Sequence, residues 1–361
     1  MHSVRRKRLG ITRLEMWVLW LLIASLPATT SAQTIQPGPP YPVGMRQLQY
    51  FDPAHGGRYL ALALFYPAAI SERSASPFRM AFFTNLRLYK DAAVVSDRVK
   101  RPLVMFSHGR GSNGLYYAWF AEFLASHGYI VAAPYHYRAN TYDSSIVYLA
   151  NKLWQRPLDV SLDITFLLED RDWAPHIDAG RIGVAGHSQG GFTALWVGGA
   201  KVDADKYLAF QRFWRNNAVV PEYLRKILPL DPGPALDVHD RRIKAVFAMA
   251  PGDIRAFGMD ESTLKELKAP TYIVVGAGDT QTPPQENAAF AARYIPHAEL
   301  EVIPGRVGHE IFCNECDEEG KNELAETCVD APGIDRAVIH AQIANAALKF
   351  FDASLNVQRG Q

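Results

Sequence analysis

The chain has 361 residues, 48% of them apolar, and a formal net charge of +1. A balance this close to neutral lacks the basic stripe that a phosphate backbone demands, which sets nucleic acid aside as a partner. The length and apolar content suffice for one large core, so a single domain with insertions is expected.

At the N-terminus, Arg5, Arg6, Lys7, Arg8 and Arg13 precede an apolar run from Met16 to Pro27, and Thr30-Ser31-Ala32 supplies small residues at a cleavage point. Residues 1–32 therefore read as a secretory signal peptide, which leaves 33–361 as an exported domain, periplasmic or secreted. The apolar run falls short of the roughly 20 residues that span a bilayer. No cysteine follows it for lipid attachment, so no stable membrane anchor is expected after cleavage. Arg5-Arg6 also resembles the start of a twin-arginine signal, but the downstream motif is missing. Cleavage removes five basic groups and Glu15, which shifts the net charge from +1 to −3.

Beyond this leader, short β-branched and aromatic runs alternate with longer helical patterns, the signature of a mainly parallel central sheet with helices on both faces. Arg46–Tyr50 and Tyr59–Tyr66 read as an opening antiparallel pair. Strands follow at Leu103–Ser107, Ile130–Pro134, Ile182–Ala185, Ile243–Met249, Tyr272–Val275 and Leu300–Ile303. Helices are expected at Leu115–Ser126, Asp159–Asp170, Gln189–Val197, Pro284–Tyr294 and Asp335–Phe351. In such sheets the ligand crevice lies beyond the carboxyl ends of the strands.

The sharpest motif stands at one of those ends. Gly186-His187-Ser188-Gln189-Gly190 follows a strand and opens a helix, the G-x-S-x-G nucleophile elbow in which a tight turn exposes the serine hydroxyl. A serine hydroxyl is a weak nucleophile unless a base and an orienting carboxylate stand beside it, and with this elbow the chain order is Ser, acid, His. Asp279, after the strand Thr271–Val275, takes the acid position, with Asp253 as runner-up. His309, in the loop after the strand Glu299–Ile303, takes the base position; His239, His297 and His340 lie outside that loop. Two backbone N–H groups suit an oxyanion formed on the attacked carbonyl: Gln189 at the helix start, and Arg110 in Ser107-His108-Gly109-Arg110-Gly111. His108 reads as loop packing, and the Arg110 side chain as solvated.

Cys313, Cys316 and Cys328 all lie near the C-terminus, where export would let two of them pair and leave one thiol over. Cys316–Cys328 is the preferred pairing, although the spacing hardly separates it from Cys313–Cys328. Cys313-x-x-Cys316 has no second pair or suitably spaced histidine to complete a metal site.

The runs Pro102–Asn113, Gly186–Gly191, Gly276–Pro284 and Gly308–Phe312 resemble the dienelactone hydrolase-like branch of the α/β-hydrolase superfamily that includes platelet-activating-factor acetylhydrolases. The resemblance extends from about Leu60 onward. It implies an α/β-hydrolase fold and an esterase or lipase-like activity on short or oxidised acyl chains, without metal or organic cofactor; short or medium acyl chains, lipid-derived ones among them, are the expected substrates. Dienelactone hydrolases proper use a cysteine where Ser188 stands, which points away from lactone opening. The acetylhydrolases commonly carry phenylalanine where Gln189 stands.

Lys201–Arg242 is long and rich in large residues, among them Tyr207, Phe210, Phe213, Trp214 and Tyr223, and reads either as a lid insertion or as a packing helix pair. Tyr135, Tyr137, Tyr142, Tyr148 and Trp154 form a second aromatic cluster, suited to the leaving-group side of a site or to packing. The expectation is an exported serine hydrolase cleaving small-molecule or lipid carboxylic esters through an acyl-enzyme. Amide cleavage on the same triad and a non-catalytic binding protein on the same scaffold are the alternatives. Oligomeric state is not legible.

Overall fold

The computed structural model describes residues 41–70, 76–227 and 237–358. The leader expected at 1–32 lies outside these residues, as do positions 228–236 of the expected insertion.

Among the described residues, eleven strands form the sheet. The first five are β1 (Val43–Asp52), β2 (Arg58–Ala69), β3 (Ser76–Phe78), β4 (Leu88–Lys90) and β5 (Ala93–Val94). They are followed by β6 (Arg101–Ser107), β7 (Ile130–Tyr135), β8 (Ile177–His187), β9 (Ile243–Met249), β10 (Thr271–Gly276) and β11 (Glu299–Ile303). The order across the sheet is β11-β10-β9-β8-β6-β7-β2-β1-β4-β3, with β5 on β2. The six strands from β11 to β7 run parallel, and β2 joins them antiparallel. Every residue of β6 and β7 is buried, as a parallel strand covered on both faces requires. β1 instead has three buried residues followed by alternating half-buried and exposed positions, in keeping with its place near the sheet's edge.

The described helices are α1 (Ala118–Ser126), α2 (Gln155–Glu169), α3 (Gln189–Val197), α4 (Ala204–Asn216), α5 (Glu222–Ile227), α6 (Glu261–Leu264), α7 (Ala288–Tyr294), α8 (Glu318–Glu323), α9 (Ala325–Cys328) and α10 (Arg336–Ser354). α2 packs with α3, and α1 with α10. Two expected helices begin later than the sequence pattern implies. Asn113 turns its side chain onto the Leu115 N–H, so the first residues before α1 wind as a tighter turn. Asn287 directs its amide to the Ile254 N–H and the Pro283 carbonyl instead of capping, and α7 starts only at Ala288. The short strands β3, β4 and β5 carry too few residues to show a period in sequence.

The chain leaves β6 toward β7 on one side and returns to β8 on the other. This reversal opens a crevice at the carboxyl ends of β6 and β8. The Gly109 loop and Ser188 both lie at those ends.

The C-terminal part is cross-linked to itself. Cys316 and Cys328 form a disulfide, with Cα atoms 5.6 Å apart, and Cys313 stays a buried free thiol that donates to Glu310 Oε2. The Arg336 guanidinium donates to the carbonyls of Cys313, Asn314 and Thr327 and pairs with Asp330. Closing a loop of this size stabilises a fold by about 3 kcal/mol, chiefly by restricting the unfolded chain. Replacing both Cys316 and Cys328 by serine is expected to lower the urea midpoint by a corresponding amount, read by circular dichroism; an unchanged midpoint would show that Arg336 alone holds the segment.

Candidate active site

Ser188 is the last residue before α3 and sits at φ 55°, ψ −121°, a conformation L-residues rarely adopt. The neighbours that enforce it are close. A Cβ on Gly190 would lie 1.8 Å from the Ser107 carbonyl oxygen, and one on Gly186 would lie 2.3 Å from the Gly190 oxygen. The Ser188 N–H donates to the Met249 carbonyl at 2.9 Å, and its own carbonyl accepts from the Gly252 N–H at 3.0 Å. The turn is thus clamped between the ends of β6 and β9, and α3 can begin only because glycine lets Ser107 approach.

Asp279 and His309 come together from the loops after β10 and β11. Asp279 Oδ2 lies 2.7 Å from His309 Nδ1, and both residues are buried. Thr282 joins them: its hydroxyl donates to Asp279 Oδ2 at 2.8 Å and lies 3.2 Å from His309 Nδ1. Asp279 Oδ1 accepts the N–H groups of Gln281 and Thr282. Burial by itself would push the Asp279 carboxyl up, but the His309 hydrogen bond and charge, together with the Thr282 donors, hold it below the usual carboxylate range. The pair is therefore pre-arranged with an ionised carboxylate.

Ser188, Thr282 and His309 line one open cavity of about 620 Å³, with Arg110, Tyr117, His187 and Glu310 among the other walls. A hydrogen-bonded chain runs beneath it. A backbone carbonyl only accepts, so the contact of 3.1 Å from His187 Nε2 to the His309 oxygen fixes the proton on Nε2. Burial lowers the His187 pKa well below its ordinary value, which keeps the ring neutral, and Nδ1 then accepts from the Tyr117 hydroxyl at 3.0 Å. That hydroxyl in turn accepts the Gly109 N–H at 3.2 Å. One relay thus links the loops that carry Gly109, Ser188 and His309.

Behind the Gly109 loop lies a second polar cluster. Arg156, fully buried at the start of α2, donates to the His108 carbonyl, the Ser107 hydroxyl and the Thr193 hydroxyl. The Ser107 hydroxyl also contacts His136 Nε2, whose other nitrogen faces Asp159, and Asp159 pairs with Arg58. His108 is buried, with its pKa lowered by desolvation and by the nearby Arg156, and it packs the loop as a neutral ring. The loop that carries the Arg110 N–H is fixed from behind, and Gln189 is the first residue of α3, where an N–H has no intrahelical acceptor.

Two sequence readings are corrected. The Arg110 side chain is not simply solvated: it pairs with Asp253 at 3.0 Å and lies over the Trp214 ring at 5.3 Å. Asp253, the runner-up acid, is committed to that pair while His309 faces Asp279. Of the competing histidines, His340 stacks on Trp119 and contacts the Ile311 carbonyl at 2.8 Å, which braces the segment that carries His309. Thr282, Tyr117, His187 and Arg156 were not singled out from sequence; only Thr282, three residues after an acid in a turn, left a local signal there. Among the described residues no group of three or more His, Cys, Asp or Glu is arranged to hold a metal ion, and no helix is long and apolar enough to cross a membrane.

A family model described as chlorophyllase matches residues 94–212, which span the Gly109 loop and the Ser188 elbow. Among solved structures, a ferulic acid esterase from Streptomyces cinnamoneus is similar with a TM-score of 0.59 and 22% identity, covering 93% of this chain and 94% of that one. At that identity the likeness is one of fold, and the fold is that of the α/β hydrolases. No curated protein matches the chain. The glycine contacts yield a test of the turn: Gly190→Ala is expected to cost more than about 3 kcal/mol, because backbone cannot yield as a side chain does. Soluble protein with an unchanged melting temperature would contradict it.

Proposed function

We propose that this chain, a member of the α/β-hydrolase superfamily, is a carboxylic-ester hydrolase that works through an acyl-enzyme. The observation that carries the reading is the strained Ser188 turn sharing a cavity with the hydrogen-bonded His309–Asp279 pair. Ser188 Oγ attacks the ester carbonyl while His309 takes its proton through Nε2, the ring nitrogen not committed to Asp279. Asp279 keeps Nδ1 protonated and stabilises the imidazolium that forms. The N–H groups of Gln189 and Arg110 receive the oxyanion. The carbon–oxygen bond to the leaving group then breaks, and His309 returns the proton to the departing alcohol. Water, activated by the same histidine, releases the acid and restores Ser188.

Short or medium acyl esters, lipid-derived ones included, suit an open cleft of this size. The basic and apolar leader at 1–32 and the Cys316–Cys328 disulfide support export to an oxidising compartment. Expected in hydrolysis of p-nitrophenyl esters from acetyl to dodecanoyl is turnover that falls at least about a thousandfold in Ser188→Ala. Asp279→Asn should cost a comparable factor by presenting the wrong imidazole tautomer. A Ser188→Ala protein as active as the wild type would refute the assignment. Thr282→Val, which removes one donor to Asp279 and the contact with His309, should reduce kcat by about tenfold with the melting temperature kept within a few degrees; equal kcat would mean the hydroxyl only fills space.

A further inference from the structure

The two backbone donors assigned to the oxyanion belong to different parts of the fold, Arg110 to the loop after β6 and Gln189 to the start of α3. A pair of N–H groups stabilises an oxyanion only where both point at one atom, each within about 3 Å of it. Neither segment sets that convergence by itself, and a misplacement of about 1 Å can cost on the order of a hundredfold in rate. The loop and the helix must therefore be held in register with one another.

Arg156 bonds to both. On the loop side, its Nη2 donates to the His108 carbonyl, one peptide group ahead of the one that carries the Arg110 N–H, and to the Ser107 hydroxyl at 3.3 Å. On the helix side, its Nε donates to the Thr193 hydroxyl at 3.2 Å, and that hydroxyl donates to the carbonyl of Gln189 itself at 2.8 Å. Ser107, His108, Arg156, Gln189 and Thr193 are all buried, so bulk water does not compete for these bonds. One guanidinium thus spans the gap between the two donor segments.

Arginine suits such a task because its N–H groups leave a rigid plane in fixed directions, whereas an ammonium is a point charge on a flexible stem. Its presence here is costly. Desolvation pushes the Arg156 pKa down to about 9, with the charge of Asp159 opposing that fall. The group still carries its charge at neutral pH, and hydrogen bonds from an ionised donor are stronger than those between neutral groups. An apolar side chain could pack α2 against α3 without the desolvation cost, but it could not tie a loop carbonyl to a helix hydroxyl. Resting on the ester-hydrolase reading above, we propose that Arg156 is a positioning residue for the oxyanion site. Through the His108 carbonyl and the Thr193 hydroxyl it fixes the Arg110 and Gln189 N–H groups relative to each other, and Thr193 is the arm that reaches the helix.

The test measures two quantities in each variant: kcat/KM for p-nitrophenyl acetate, and the inhibition constant of 1,1,1-trifluoroacetone, whose adduct with Ser188 presents the oxyanion. Thr193→Val removes the hydroxyl and keeps the shape. It is expected to lower kcat/KM and inhibitor affinity together by about tenfold, less than the hundredfold or more that follows loss of a donor outright. Thr193→Ser keeps the hydroxyl and should stay within about threefold of the wild type in both. Arg156→Met should lose about a hundredfold in both, with Arg156→Lys between it and the wild type. The pH profile of kcat/KM should keep its midpoint throughout, because the Asp279–His309 pair is untouched. Wild-type values in Thr193→Val, an equal loss in Thr193→Ser, or a fall in rate with inhibitor affinity unchanged would each overturn the proposal. Should Arg156→Met fail to fold, the Thr193 pair decides. Ser188-dependent hydrolysis that Thr193→Val leaves intact removes this inference alone, whereas absence of all ester cleavage in the wild type removes the parent reading and the positioning role with it.

Discussion

Everything in the site hangs on the contact between Gly190 and the carbonyl of Ser107. That contact lets β8 end in a turn tight enough to place Ser188 at a positive φ, and it brings the end of β6 against the start of α3. Strain of this kind costs on the order of 1–3 kcal/mol and persists only where the surroundings over-determine it. Here the surroundings are the parallel strands on either side, each buried on both faces, which cannot move apart without opening the core. The backbone conformation of one residue is therefore maintained by the sheet as a whole.

The side chains that serve this turn are ordered by two separate polar systems. In front, Gly109, Tyr117, His187 and the His309 carbonyl form a relay that ties three loops to one another. Behind, Arg156 fastens the His108 carbonyl and reaches Ser107 and Thr193, with His136, Asp159 and Arg58 continuing inward. Polar groups buried this deeply are tolerable only when nearly all are satisfied, so such a network favours one arrangement of the loops over its neighbours. It thereby supplies the precision that loops lack by themselves.

How much of this the sequence disclosed depends on the range of the interaction concerned. The strand at Ile182–Ala185, which the structure extends to His187, and the helix opening at Gln189 were legible because glycines at fixed spacing and alternating β-branched residues are local signals. Asp279 and His309 were legible as positions, each in a loop after one of the last two strands, and the structure brings their side chains into contact. Tyr117 and His187 were not, since their roles arise from partners far away in sequence and from a burial that composition does not reveal. Arg156 lies ahead of the helix expected to begin at Asp159 and left no signal, because α2 starts earlier, at Gln155. Arg110 was read as solvated because Asp253 and Trp214, its partners, come from segments distant in the chain. Local chemistry announces the groups that react; the groups that aim them emerge only from tertiary packing.

The Cys316–Cys328 link gives the molecule a history as well as a shape. The segment that follows His309 is anchored by Arg336 from one end of α10 and closed on itself by this covalent ring. With these two cysteines reduced, the segment keeps the first anchor but not the second, so the region supporting the histidine reaches its final rigidity only on oxidation. Maturation of the site is thus separable from folding of the sheet, and the same chain is a looser object reduced than oxidised.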